Sequence, residues 1–268
     1  MLRILFAFFI LFHQQLHSQQ DSLVWKEVWT IPSTNITAWD IDEQENCIFA
    51  NGNLLQKLNK EGQLIFQQSS KVIGKIVSID ARNPMKILLF SEEQQLIHFC
   101  DNSLTAQQDN IDLSIFNLNN ITKVSGSNQP NKCWVYNQDN SQLALLSQSN
   151  SQLQRIENCK GLLGFNEVNQ LLEVNSQLFL IDYNKGIYKL DLYGSLIQFI
   201  AIPPFTYCWI ENNLIYTLTD NEMRITSLTN EQNHKIIKLP FIVLELKKQG
   251  NFYYLLGKEK LSKLSLSK

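Results

Sequence analysis

The chain has 268 residues, 44% of them hydrophobic and 18% charged, with a formal net charge of −2. That length supports one sizeable core, and the lack of a basic excess argues against nucleic acid as a general partner. The five cysteines (Cys47, Cys100, Cys133, Cys159 and Cys208) are scattered and lack CxxC spacing. They form neither a zinc pattern nor a dense disulfide framework. They read as small buried hydrophobes, with a single bridge left open.

Residues 1–18 carry an early Arg3 and a nine-residue apolar core at residues 4–12, followed by HQQLHS. This is the pattern of a secretory signal peptide. The apolar core is too short to span a bilayer as a helix. The expectation is an exported, periplasmic protein with no transmembrane segment in the mature chain, and one domain over residues 19–268.

Residues 23–31 (LVWKEVWTI) read as a strand that places Trp25, Trp29 and Ile31 on one face by period-two spacing. A first four-strand unit follows, from ITAWDID to QLIFQQ, with a turn at Lys60-Glu61-Gly62. A second contains IVSIDARNP, MKILLF, QLIHFC and SLTAQQ, then a polar, less regular stretch at residues 109–120. A third covers residues 121–156, with turns rich in Ser, Asn and Gln. In the fourth, QLFLIDYNKGIYKLDLYGSLIQFIAI reads as three strands separated by Asn184-Lys185-Gly186 and Tyr193-Gly194. The fifth spans residues 205–238. The last, residues 241–268, supplies only about three strands.

Leu58, Phe99, Leu145, Leu190, Ile225 and Leu264 each precede the second turn of such a unit, at intervals of 35 to 46 residues. That period approximates a four-stranded blade. Both faces of the strands are apolar, as suits a sheet packed between two others. The fold class is therefore all-β: a single β-propeller of about six four-stranded blades. The N-terminal strand is expected to complete the last blade and remove an open edge.

Motifs that carry chemistry are sparse. His98 and His234 fall in different units, so no metal site is expected, and no nucleotide-binding or nucleophile-elbow motif occurs. No cofactor is expected. Asp40, Asp42, Gln44 and Asn46 alternate like the start of a calcium loop but lack its glycine and closing glutamate, and read as a strand end and turn. Asp80, Asp182 and Asp191 are the candidates for a carboxylate pair, with solvated turn positions as the competing reading. Residues 235–268 hold eight lysines against Glu245 and Glu259. Such a blade could face an acidic partner, or simply guard exposed edges. Tyr183, Tyr193, Tyr207 and Trp209 are the candidate partner-binding residues, because Trp and Tyr dominate interface energies.

Residues 83–104 (NPMKILLFSEEQQLIHFCDNSL) and 188–203 (YKLDLYGSLIQFIAIP) resemble a family of exported propellers from bacteria with the type 9 secretion system. The second stretch is also similar to repeats of quinoprotein-like propellers, whose cofactor residues have no counterpart here. The build resembles that of the plug subunit of the type 9 translocon. The resemblance implies a non-enzymatic accessory or plug protein docked on an outer-membrane translocon component. The alternatives are a hydrolase or lyase acting on a glycan or peptide, and a small-ligand-binding propeller.

Overall fold

A computed structural model describes residues 23–69, 72–107, 110–147, 154–230 and 234–267. The signal peptide read at residues 1–18 lies outside these residues. Strand β1 (Val24–Pro32) comes first. Blade 1 contains β2 (Ala38–Ile41), β3 (Cys47–Asn51), β4 (Leu54–Leu58) and β5 (Leu64–Ser69). Blade 2 contains β6 (Ser78–Asp80), β7 (Ile87–Ser91), β8 (Leu96–Cys100) and β9 (Ile111–Asp112). Blade 3 is β10 (Ile121–Gly126), β11 (Lys132–Asn137), β12 (Gln142–Ser147) and β13 (Gln154–Ile156). Blade 4 is β14 (Gln170–Val174), β15 (Gln177–Asp182), β16 (Gly186–Leu190) and β17 (Leu196–Ala201). Blade 5 is β18 (Tyr207–Glu211), β19 (Leu214–Thr219), β20 (Glu222–Ser227) and β21 (His234–Lys238). Blade 6 joins β22 (Glu245–Gln249), β23 (Phe252–Leu256) and β24 (Lys260–Ser267) to β1.

The ring is a six-blade β-propeller, and β1 forms the outer strand of the last blade in the order β1-β24-β23-β22. All six sequence anchors lie on the third strand of their blades. Six apolar clusters hold the ring together, one in each seam between neighbouring blades. This explains why both faces of the middle strands are apolar. The turn after the third strand repeats in blades 1, 2 and 4. There Asn59, Asp101 and Asp191 each accept hydrogen bonds from the backbone N–H groups two and four residues on. An Asx side chain substitutes here for glycine-rich turn chemistry. Gly186 is a place where glycine is required: its φ is +133°, and a Cβ would collide with the Ile200 carbonyl.

Two expectations are corrected. Trp25 does not share a face with Trp29 and Ile31. The β1–β24 register shifts between Glu27 and Trp29. The extra residue at this bulge, Val28, reverses the alternation. Trp25 therefore packs in the seam of blades 5 and 6, and Trp29 in the seam of blades 6 and 1. In blade 2, the described residues of SLTAQQ supply one bridge, Cys100 to Ala106, and the outer strand is β9 within the stretch read as irregular. Leu104 turns the chain off the edge with a left-handed backbone (φ 66°). The short helix α1 (Cys159–Leu163), between blades 3 and 4, was not foreseen; the Asn158 side chain accepts from Gly161 N at its start.

The lysines of residues 235–268 divide: Lys235, Lys238 and Lys258 are exposed, while four others have acidic partners. Lys247 and Lys263 are buried against Asp40 and Glu45, and Lys248 and Lys260 meet Glu211 and Glu27. The five cysteines are all buried and free. Burial pushes the Cys133 thiol up to about 12. Among the described residues no helix is long and apolar enough to cross a membrane.

Candidate functional site

The first strands of the six blades (β2, β6, β10, β14, β18 and β22) face one another around the axis. They enclose a cavity of about 440 Å3. Its wall is polar, and a belt of side chains crosses every seam. Asp40 accepts from Ala81 N at 2.7 Å, and Asp80 from Gly126 N at 2.8 Å. Ser125 Oγ accepts from Glu173 N at 3.1 Å, and Gln170 Oε1 from Cys208 N at 3.0 Å. Glu211 meets Lys248 at 3.5 Å. Trp39 Nε1 donates to Glu245 at 2.8 Å and closes the ring.

Two ionic clusters stand on this belt. In one, Lys247 Nζ lies 2.8 Å from Asp40 Oδ1, and 4.9 and 5.2 Å from the rings of Trp209 and Trp39. Two indole faces and one carboxylate thus replace the ammonium's water. Burial pushes the Glu245 carboxyl up, against the pull of Lys247. In the other, Arg82 forms a fork onto Asp80, donates to Ser125 Oγ at 3.0 Å and reaches the Glu173 carbonyl. Burial alone would raise the Asp80 carboxyl, but the Arg82 charge and the Gly126 N–H outweigh it and hold it well below the usual carboxylate range. Glu173 accepts from Trp134 Nε1 at 2.7 Å and Asn128 N at 2.9 Å. Each of these acids already holds a cation or an N–H donor.

The four candidate aromatics do not form one surface. Tyr207 and Trp209 are buried on β18 and line the cavity. Tyr183 also lines it, with its ring centroid 5.3 Å from that of Phe205. Burial raises the Tyr207 phenol well above its ordinary range, with Glu245 adding to the effect. Tyr193 is 83% exposed in the turn between β16 and β17.

The carboxylate candidates also separate. Asp80 lines the cavity, whereas Asp191 caps a turn. Asp182 is a buried turn residue rather than a solvated one, accepting from Asn166 N and Asn184 N. Asp42 accepts from Gln44 N and Asn46 N and meets the fully buried Lys57 at 2.9 Å, so that stretch is a strand end and turn. Its neighbour Asp40 belongs to the cavity. His98 on β8 bonds Asn110, and His234 is exposed on β21. Among the described residues no group of three or more His, Cys, Asp or Glu could hold a metal ion. Sequence reasoning missed Arg82, Glu173 and Lys247 as cavity residues, and read Asp40 only as part of a strand end and turn. The available signal was position: Asp40 and Asp80 both occupy the third residue of a blade's first strand.

No protein-family model matches the chain, and no curated protein matches it. Solved structures do. The WD40 domain of Neurospora crassa Pan2 is similar over 90% of this chain and 95% of its own, with 10% identity and a TM-score of 0.62. A streptogramin B lyase is similar over 91% and 98%, with 10% identity and a TM-score of 0.60. Virginiamycin B lyase from Staphylococcus aureus is similar over 92% and 100%, with 9% identity and a TM-score of 0.58. At such identities the likeness is one of fold.

Proposed function

We propose that this chain is a non-enzymatic β-propeller that docks a protein partner. The observation that carries this reading is the contrast between its rims. The inner acids are engaged in cross-links, while two outer edges are left open and uncharged. Four of the six outer strands are protected in familiar ways. β9 and β13 have two and three residues. β1 carries Lys26 and Glu27, and β21 carries Lys235 and Lys238. β5 (LIFQQS) and β17 (LIQFIA) carry no charge, yet expose Leu64, Ile65 and Phe66, and Leu196, Ile197 and Phe199. Each ends its sheet among the described residues. Strand addition by an extended segment uses such an edge. Tyr193 stands in the turn leading into β17.

The location and partner rest on the sequence. The N-terminal stretch supports export to the periplasm. The resemblance of residues 83–104 and 188–203 to exported propellers supports an outer-membrane component of the type 9 translocon as the lead partner. The test is affinity purification of a tagged chain from its native host in mild detergent, with mass spectrometry of what accompanies it. Stoichiometric recovery of a large outer-membrane barrel is the expected result. Recovery of the propeller alone, stable and at full yield, overturns the reading.

One observation favours a second reading, a ligand-binding or hydrolytic propeller. The axial cavity is roomy, and Glu245, whose burial favours its protonated form, faces it. Saturable binding of a glycan or peptide that is lost in Glu245→Ala, but kept in a variant with charged residues on β5 and β17, would favour this alternative.

A further inference from the structure

Between blades 2 and 3 lies a second, smaller cavity of about 50 Å3; Asp80 and Arg82 line both it and the axial cavity. It has room for roughly four waters, or for one compact ion. Two lysines reach it. Lys86 Nζ donates to Asn131 Oδ1 at 3.2 Å and stands 4.4 Å from the centroid of the Phe99 ring. Lys132 Nζ donates to Gln129 Oε1 at 2.7 Å. Both are half-buried, and their hydrogen bonds go to the neutral amides of Asn131 and Gln129. The three fully buried lysines each meet a carboxylate: Lys57 meets Asp42, Lys247 meets Asp40 and Lys263 meets Glu45.

The nearby acids cannot supply the missing charge. Asp80 is taken by Arg82, and Glu173 by Trp134 Nε1 and Asn128 N. Burial lowers the Lys86 ammonium from its ordinary range, and the group that opposes this is the Cys133 thiol, not a carboxylate. Donors remain. Each ammonium has three N–H groups and spends one here, and the Ser127 hydroxyl, which accepts from Gln129 N, keeps its own hydrogen.

We propose that this seam is a binding site for a tetrahedral oxyanion, phosphate or sulfate, either free or carried as a monoester on a larger molecule. The ion sits between the Lys86 and Lys132 ammoniums and supplies the counter-charge that the fold leaves out. Charge-assisted bonds of this kind are the stronger class of hydrogen bond. The site is independent of the docking edges on blades 1 and 4.

The test is thermal unfolding of the full chain with inorganic phosphate, sulfate, a phosphate monoester, acetate or chloride, all at one ionic strength. Titration calorimetry with phosphate runs alongside. At ten times Kd, a specific ion should raise the midpoint by about 3 to 5 °C over chloride. Lys86→Met and Lys132→Gln should each abolish that rise while retaining the midpoint measured in chloride. Lys132→Gln covers the case in which Lys86→Met does not fold. A response to inorganic phosphate identifies the free ion, and a response to the monoester alone identifies a carried group. Equal midpoints in phosphate and chloride overturn the site. So does a full phosphate response in Lys132→Gln, and an equal response to acetate overturns the tetrahedral assignment.

Discussion

The inner rim and the outer rim of this ring come from the same repeat, yet they treat polarity in opposite ways. On the inner rim, charged and amide side chains are drawn into the protein and every seam is cross-linked by at least one polar contact. On β5 and β17 of the outer rim, apolar side chains face solvent beside open backbone. The inner strands converge on the axis, where buried charged groups gain from a protein partner and most have one. The outer strands diverge, and among the described residues each has one neighbour in its sheet. The difference teaches that closure of the ring stabilises its centre and leaves interaction capacity at its periphery.

The largest effect expected from breaking this contrast is on the inner rim. Asp40→Ala strips Lys247 of its counter-ion and Ala81 N of its acceptor. Loss of one partner of a buried pair costs about 3–5 kcal/mol. Urea unfolding should show that loss, and Asp40→Ala/Lys247→Met should recover much of it. If the double variant is no more stable than the single one, the pair does not act as a unit.

Acid sharpens the same comparison, because two rim carboxylates titrate in opposite senses. Asp80 is held below its unfolded value near 3.9. The stability it contributes is present above that value and is lost as pH falls through its folded pKa. Asp80→Asn should therefore lower stability at neutral pH and flatten the acid limb. Glu245 is held above its unfolded value, so the folded state loses stability as pH rises from the unfolded to the folded pKa. Glu245→Gln should abolish that loss. Unfolding midpoints between pH 2 and 8 separate the two. A Glu245→Gln variant whose stability falls with rising pH as steeply as the parent's would exclude Glu245 as the source.

The smallest effect on stability belongs to the outer rim. Ile65→Lys on β5 or Ile197→Lys on β17 replaces an exposed side chain and should change unfolding free energy by no more than about 0.5 kcal/mol. The same substitutions should abolish partner recovery if these edges dock. Unchanged recovery in the variant carrying both substitutions would remove the edges from the interface.

Much of this contrast is foreshadowed in the sequence, but unevenly. Blade count and closure are legible because Leu58, Phe99, Leu145, Leu190, Ile225 and Leu264 hold one position in a repeated unit, and because residues 241–268 are one strand short. Strand-face assignments fail where local geometry breaks the alternation. Val28 adds one residue to β1, and no composition signal marks it. Lys247 and Lys263 look like part of a surface patch because their partners, Asp40 and Glu45, lie some 200 residues earlier. The axial cluster was hidden for the same reason. Trp39, Asp40, Glu245 and Lys247 become neighbours only when the ring closes.

That closure has a mechanical side. Val24 pairs with Ser267 at one end of the β1–β24 ladder and Pro32 with Lys260 at the other, so both free ends leave from the same side. Tension applied at the two ends would load the ladder one pair at a time, like a zip, rather than all pairs together in shear. Joining strands some 240 residues apart costs roughly 5 kcal/mol of chain entropy, and the ladder returns this only while it is complete. In an optical trap the ring should open at low force and in one step from this seam. A tether attached through two opposite blades should hold to higher force. A ring closed by this ladder therefore resists pulling across its blades better than pulling through β1 and β24.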